Sequence, residues 1–209
     1  MRKLRIISAT FLFIAVCIAC FAGCSFDISS LISPETSFTP AADSSPISGA
    51  PKIADEEIFL PCTVKDLKNK GFETDYLIKD GSVKMWHIEE EQRGNNLDMY
   101  VYPDKGYDYK DNDIIKDDDT VAAIKVIQSD HIELDLNGIR IWTSKEDVLK
   151  ISGTPAYEKK LPFDGEYYFY LGDNDQIYRL KFLATDRLEE FLVGTKEYMT
   201  DEKGRLYTG

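Results

Sequence analysis

The sequence has little of the chemistry from which metal and catalytic sites are usually built. It contains 2 histidines, His87 and His131, and neither has a second ligand at a spacing that forms a zinc site. It also lacks a Gly-x-Ser-x-Gly elbow, a glycine-rich phosphate loop and a Cys–His arrangement at a spacing typical of a nucleophile. We therefore predict no metal, no cofactor and no catalytic residue, and hence a protein that is not an enzyme.

Cysteine is equally scarce beyond the first 24 residues, where only Cys62 remains. One cysteine cannot form an internal disulfide, so the fold has to rest on its apolar core. No histidine lies near Cys62 in the sequence. We therefore expect a small buried hydrophobic side chain there rather than a reactive thiol.

Basic residues are outnumbered by acidic ones. The chain has 25 Lys and Arg against 37 Asp and Glu, a net charge of -12. Three of the basic residues, Arg2, Lys3 and Arg5, lie at the extreme N terminus, so the remainder is more acidic still. Such acidity argues against nucleic acid as a partner and against docking onto anionic lipid by charge. It suits a folded head that is held away from a membrane.

The N-terminal stretch has the anatomy of a secretory signal. After Arg5 no charge appears until Asp27, and the apolar run ends in Phe21-Ala22-Gly23-Cys24. This ending resembles the lipobox of bacterial lipoproteins, in which the cysteine receives a diacylglyceryl group and becomes the mature N terminus. The resemblance implies a signal peptide over residues 1–23 and lipidation, including palmitate, at Cys24. The protein would then be anchored to a lipid bilayer on the extracytoplasmic face of a bacterial membrane.

Two alternatives concern the same stretch. Cys20 follows Ile18-Ala19 and is a second candidate for the lipidated cysteine. The uncharged run also reaches the roughly 20 residues that span a bilayer, so a plain transmembrane anchor is the other possibility. After Cys24, the segment up to residue 52 is rich in Ser, Pro, Thr and Ala without apolar periodicity. That composition predicts a flexible linker over residues 24–52.

The remaining chain contains an internal repeat. Residues 63–72 read TVKDLKNKGF and residues 144–153 read SKEDVLKISG. Each begins with a hydroxyl residue, has Asp three positions later and has Gly at or next to its last position, which predicts a capped helix and its stop. These residues are Thr63, Asp66 and Gly71 in the first copy, and Ser144, Asp147 and Gly153 in the second.

Alternating apolar residues follow each helix and predict strands in matching phase. We therefore predict an α+β fold of two tandem units, residues 53–128 and 129–209, each with a short helix packed on an antiparallel sheet of about four strands. The side chains assigned to the core are Trp86, Ile88, Leu97, Met99 and Val101 in the first unit, and Tyr167, Phe169, Tyr178, Leu180 and Phe182 in the second.

The stretch GIRIWTSKEDVLKISGTP, residues 138–155, resembles the opening of the repeat in β-lactamase inhibitor protein and in the SmpA/OmlA-type small lipoproteins. In that family an apolar strand, a Thr or Ser cap, a short helix and a Gly exit precede an antiparallel sheet. The resemblance implies a tandem α/β unit whose two sheets form one broad surface that grips other proteins. The matching residues are Ser144, Val148, Gly153 and Pro155 in the second copy, and Thr63, Leu67 and Gly71 in the first.

Residues that alternate with the core positions are expected to point away from it. This predicts an open sheet face with tyrosines, which protein-binding surfaces favour because a rigid ring offers large contact area at little entropy cost. Ordinary strand filler is the alternative, since tyrosine has high strand propensity. The function predicted is that of a non-catalytic module that binds a protein or cell-wall partner. The predicted binding residues are Tyr100, Tyr102, Tyr168, Tyr170 and His87.

Two rival functions stay open from the sequence. One is an envelope hydrolase that acts on wall polymers through a carboxylate pair, and the other is a structural spacer without a specific partner. A separate question concerns the acidic residues 108–119, DYKDNDIIKDDD. They lack the glycine and the distal glutamate of an EF-hand, so we predict a solvated insertion, with weak calcium binding as the alternative.

Overall fold

The computed structural model of the chain describes residues 38–78, 82–89, 99–103, 115–127, 134–161, 165–202 and 204–206. All of them belong to one unit, Ser37–Gly209. The predicted signal peptide and Cys24 lie outside the described residues, as do Leu97 and residues 108–114 of the acidic segment.

Both helices expected from the repeated motif are confirmed. The first, α1 (Val64–Asn69), begins after Thr63, whose hydroxyl accepts from the backbone N–H of Asp66. The Asp66 carboxylate accepts in turn from the backbone N–H of Thr63, which completes a capping box. The second, α2 (Lys145–Ser152), has the same hydroxyl cap at Ser144. A short third helix, α3 (Lys196–Met199), was not predicted.

Antiparallel strands make up most of the remaining structure, so the predicted α+β class is confirmed at that level. In chain order the strands are β1 (Lys52–Ile53), β2 (Glu56–Glu57), β3 (Cys62–Thr63), β4 (Phe72–Leu77), β5 (Val83–His87), β6 (Met99–Pro103), β7 (Thr120–Ile127), β8 (Leu134–Asp135), β9 (Tyr157–Leu161), β10 (Gly165–Leu171), β11 (Gln176–Phe182) and β12 (Leu188–Thr195).

The strands form two sheets. The small one has the order β2-β1-β8, and the large one has nine strands in the order β4-β5-β6-β7-β12-β11-β10-β9, with β3 also paired to β7. The strands that follow α1 and those that follow α2 therefore meet in the middle, where β7 pairs with β12. All pairings between these strands are antiparallel. One face of the large sheet packs on the main apolar core together with α1 and α2, which contribute Val64, Leu67 and Val148.

The N-terminal arm differs from the flexible linker predicted up to residue 52. From residue 38 onward its backbone is hydrogen-bonded to the domain: Ala41 N–H donates to the Ala156 carbonyl and Ile47 N–H to the Leu171 carbonyl. Ile47 is 4% exposed and belongs to the main core. Burial of this one apolar side chain favours an ordered arm. A prediction from the average composition of a Ser- and Pro-rich segment does not take such a single side chain into account.

Tyr178 of β11 is the main side chain that connects this arm to the sheet. Its hydroxyl lies 3.0 Å from the Gly49 carbonyl and 3.1 Å from the Gln176 side-chain carbonyl, so its single proton has two acceptors. The ring fits only because residue 172 is glycine, where a Cβ would lie 2.3 Å from the Tyr178 ring. Burial raises the pKa of Tyr178 from 10.0 to about 12.

Replacing Tyr178 by Phe should lower the free energy of unfolding by about 1 kcal/mol at neutral pH, because the Gly49 carbonyl loses its donor. The folded pKa of about 12 lies above the unfolded value of 10.0, so the phenol's contribution is complete below pH 10.0 and is lost as the pH rises through 12. Urea unfolding measured across this range should show stability falling with pH in the wild type, and falling less steeply in Tyr178→Phe. Tyr157→Phe, at an exposed tyrosine, is the matched control. Equal slopes in all three proteins would contradict the assignment.

Candidate functional site

Cross-strand pairing assigns the residues of the large sheet to two faces, because directly paired residues in antiparallel strands point to the same side. One face packs on the main core. We call the other the outer face. Its central row runs from β5 to β10 in the order Lys84, Tyr100, Lys125, Leu192, Arg179 and Phe169.

Tyr100 and Tyr102, two of the predicted binding residues, lie on the outer face of β6. Both are half-buried, whereas Met99 and Val101, between and beside them, are 0% exposed in the core. The Lys125 Nζ atom lies 5.2 Å from the centre of the Tyr100 ring and 5.3 Å from the centre of the Tyr102 ring. These are cation–π distances, so one ammonium group restrains both rings.

Two residues of β5 extend this surface. Lys84 is the cross-strand partner of Tyr100, and Trp86 is two residues further along the same strand, which puts it on the same side. Lys84 also lies near Asp75, with 3.8 Å between its Nζ and the Asp75 Oδ2. Trp86 was assigned to the core from the sequence, and that assignment is wrong. We define the outer patch as Lys84, Trp86, Tyr100, Tyr102 and Lys125.

Neither lysine of the outer patch was among the residues predicted from the sequence. A signal for Lys125 was present, because it is the single charged residue in the apolar strand TVAAIKVI. A lone charge in such a strand has to reach solvent or a partner, since burying an unpaired ammonium group is costly. It therefore marks the side of the strand that faces away from the core.

The other three predicted binding residues lie on the core side, so the prediction that they point away from it is wrong. Tyr168 is 4% exposed, Tyr170 is 0% exposed and His87 is 6% exposed. For Tyr168 and Tyr170 the cause is the sequence EYYFYL in β10, where aromatic residues occupy both phases of the strand. Alternation then cannot distinguish the two faces, and an error of one residue exchanges them.

Tyr168 and Tyr170 have structural roles in the core. The Tyr170 hydroxyl donates to the carbonyl of Gly153, which connects β10 to the C-terminal end of α2 at 3.2 Å. The Tyr168 ring packs against Phe182 with 5.2 Å between ring centres. Burial raises the pKa of both phenols, so both stay protonated in the folded protein at neutral pH.

His87 is a second case of a structural side chain. Its Nε2 lies 3.1 Å from the Lys70 carbonyl, and because a carbonyl can only accept, Nε2 carries the proton. The ring also packs on Phe72, with 4.9 Å between centres. Gly71 permits this contact, because a Cβ at that position would lie 2.9 Å from Nε2 and its φ is +86°. His87 thus helps to attach the end of α1 to β5.

A C-terminal segment covers the part of the outer face that β10, β11 and β12 supply. In α3, Met199 rests on Gly194 of β12, where a Cβ would lie 2.8 Å from the Met199 Cγ atom. Met199 belongs to a buried cluster on this face that also contains Phe169 and Leu192, and Tyr198 and Leu206 pack against that cluster. The Tyr198 ring lies 5.6 Å from the Tyr102 ring, so this cover ends beside the outer patch.

Within the described residues, no group of three or more His, Cys, Asp or Glu side chains could hold a metal ion. Burial raises the pKa of the Cys62 thiol from 9.0 to about 12, so the thiol stays protonated at neutral pH. Residues 108–114 of the acidic segment lie outside the described residues. The solvated insertion predicted there, and weak calcium binding as its alternative, are therefore untested.

Asp135 is a hydrogen-bonded carboxylate that lines a cavity. Its Oδ1 accepts from the Gly138 backbone N–H at 2.7 Å, and its Oδ2 accepts from the Arg140 guanidinium at 2.9 and 3.1 Å. The Gly138 N–H and then Arg140 lower the pKa of Asp135. A lowered pKa suits an ion-paired carboxylate rather than the proton donor of a carboxylate-pair hydrolase, for which a raised pKa is needed. The hydrolase alternative stays a prediction.

In the part of the chain that the structure describes, no helix is long and apolar enough to cross a membrane.

No protein-family model matches the chain, and no curated protein matches it. Among solved structures, the chain is similar to the crystal structure of a cysteine-rich secretory protein from Staphylococcus aureus subsp. aureus Mu50, with a TM-score of 0.41 and 12% sequence identity. The match covers 78% of this chain and 55% of that chain, so this chain spans about half the length of the staphylococcal protein. A similarity of this degree supports no statement about function.

Proposed function

We propose that this protein is a lipid-anchored, extracytoplasmic lipoprotein whose folded part is a non-catalytic binding module for a protein of the cell envelope. The observation that carries the binding role is the outer patch. Two tyrosines there share one lysine across β6 and β7, and a tryptophan and a second lysine lie beside them on β5. The N-terminal sequence that ends at Cys24 supports the anchor.

The composition of the outer patch favours a protein partner. Tyr and Trp provide large contact area with few rotatable bonds, so little entropy is lost when they are covered. Lys125 restrains Tyr100 and Tyr102 before any partner arrives, which lowers that cost further. Aromatic residues of this kind dominate the energetics of protein interfaces, where a few side chains supply most of the binding free energy.

We also propose that the fold consists of two repeated units, as the sequence repeat suggests. Three pairings support this interpretation: two occupy similar places within the two copies, and the third joins the copies. Thr63, the cap of α1, pairs with Thr120, the first residue of β7, and Ser144, the cap of α2, bridges to Arg187, the residue before β12. Ile53 and Leu134, which precede the two caps, pair with each other.

The proposed repeat explains why one patch is expected rather than two. In the second unit, β11 and β12 stand where β6 and β7 stand in the first. The C-terminal helix α3 has no counterpart between the units in the described residues, and it covers the outer face of β12. The outer aromatic residues of the second unit are therefore buried beneath the C-terminal segment, whereas those of the first unit lie at the edge of this cover.

A double substitution of Tyr100 and Tyr102 by alanine should reduce recovery of the partner at least about tenfold, the effect of losing more than about 1.4 kcal/mol at a hot spot. The measurement is a quantitative pull-down from envelope extracts with the detergent-solubilised protein as bait, analysed by mass spectrometry. Tyr157→Ala is the matched control, because it removes an exposed tyrosine from β9, at the far edge of the same sheet. If the double variant captures the same proteins in the same amounts, the outer patch is not the binding surface.

Changing Cys24 to Ser should abolish lipidation and release the protein from the membrane fraction, because the acyl chains are the proposed anchor. Cell fractionation and mass spectrometry of the N-terminal peptide measure both effects. Cys20→Ser is the matched control and should leave membrane attachment unchanged. The reverse pattern would assign the lipid to Cys20, and membrane attachment that survives both changes would favour the transmembrane anchor.

A further inference from the structure

A polar cleft lies beside the small sheet, away from the apolar faces described so far. Its volume is about 560 Å³, within the range of roughly 300–1,000 Å³ typical of small-ligand sites. Gly49 and Ala50 of the N-terminal arm are among the residues that line it. Six polar side chains line the remainder: Lys52, Asp55, Glu57, Asp135, Asn137 and Arg140.

The charges in this cleft are ordered by the strand register. Lys52 of β1 is the cross-strand partner of both Glu57 of β2 and Asp135 of β8, so these three side chains stand in a row on one face. Lys52 also forms an ion pair with Glu57 at 3.7 Å, and Arg140 continues the row through its ion pair with Asp135 at 2.9 Å. Charge therefore alternates from negative at Glu57 to positive at Arg140. The opposite face of the same sheet buries Ile53 and Leu134 in the main core, which keeps the row in place.

Two of the lining residues, Asn137 and Gly49, are held in place by hydrogen bonds to other parts of the fold. The Asn137 side chain donates to the Ser48 carbonyl at 2.8 Å. The Gly49 N–H donates to the Asp173 carboxylate at 2.9 Å. A ligand would thus meet a largely preformed site, which reduces the entropy that binding has to overcome.

The turn between β1 and β2 has an unusual backbone conformation. Ala54 has φ 52° and Asp55 has φ 62°, so two consecutive non-glycine residues take the left-handed conformation. Such a two-residue hairpin turn is strained without glycine, and strain of this kind is concentrated at functional sites. The strained Asp55 is also the exposed carboxylate at the negative end of the cleft, where the described part of the chain gives it no ion-pair partner.

We propose that this cleft binds a short zwitterionic peptide, with the peptide ammonium at Asp55 and Glu57 and the peptide carboxylate at Arg140. Two strand spacings separate Glu57 from Asp135, about 10 Å in all. An extended tripeptide is about as long, at roughly 3.4 Å per residue. The lining is polar and carries charges of both signs. It therefore disfavours an apolar ligand and matches a molecule that is charged at both ends.

The test uses the full-length protein in mild detergent and isothermal titration calorimetry with trialanine. A dissociation constant on the order of 1 mM or tighter is expected. Two blocked probes remove one charge each: N-acetyl-trialanine lacks the ammonium group, and trialanine amide lacks the carboxylate. Each should bind at least about tenfold more weakly, because a charge-assisted contact is lost. Equal binding of all three peptides, or no binding of trialanine, would overturn the proposal.

Variants assign the two ends separately. Asp55→Gly should remove the preference for trialanine over its N-acetyl form, and Arg140→Gln should remove the preference over the amide. Glycine relieves the strain at position 55, so Asp55→Gly should also raise the melting temperature by about 2–4 °C. A folded and more stable variant that has lost ligand discrimination therefore cannot be explained as a misfolded one. Lys150→Gln, at an exposed ion pair of α2, is the control and should bind like the wild type.

Retained discrimination in Asp55→Gly would show that the carboxylate does not contact the ammonium group, and it would overturn the assigned orientation. None of these readouts involves Tyr100 or Tyr102. Failure here leaves the proposed role of the outer patch unaffected, and failure of the pull-down leaves the cleft unaffected.

Discussion

The pairing of β7 with β12 is the constraint on which the rest of the structure depends. Five cross-strand pairs join these strands, from Ile127 with Glu190 to Ala123 with Gly194. Because of this junction, the strands after α1 and those after α2 share one sheet and one main core instead of forming two small domains. It also fixes the side-chain phase on both sides at once, since a shift of one residue would exchange the faces of every strand beyond it.

Once the faces are fixed, the chemistry of each follows from what covers it. The core face meets α1, α2 and the N-terminal arm, and its side chains are almost entirely apolar. Over β10, β11 and β12 the outer face is covered by α3 and the segment after it, so Phe169 and Leu192 are buried there. Near β6 the described elements leave lysine and aromatic side chains half-buried at the surface. A change at Gly194 would displace Met199 and so disturb the boundary between these two regions.

Local features of the fold could be predicted from the sequence, whereas the features that depend on distant contacts could not. The two capped helices were predictable, because a hydroxyl residue and an aspartate three positions later satisfy each other. The faces of β6 and β11 were also predictable, since Met99 and Leu180 alternate with polar residues. The faces of β5 and β10 were not, because Trp86 and Tyr167 are as apolar as the residues that fill the core.

The candidate sites could also be predicted only in part, because they depend on pairing between strands that are distant in the sequence. Tyr100 and Tyr102 were found because they neighbour core residues whose phase was clear, but Lys84 joins them only through pairing across strands. The charged row of the cleft needs Lys52 beside Asp135, two residues far apart in the chain. The strain at Ala54 and Asp55 depends on backbone angles that composition does not encode.

The outer patch differs in charge from the chain as a whole. The chain is acidic overall, at -12, yet the outer patch has two lysines, Lys84 and Lys125, on either side of Tyr100. At physiological ionic strength, exposed charges act over about 8 Å, so an approaching molecule senses the patch only at close range. The net negative charge of the chain does not favour contact with anionic lipid, which agrees with the proposed separation of the folded part from the bilayer. The head would then stay clear of the bilayer, with its outer patch accessible to a protein partner rather than covered by lipid.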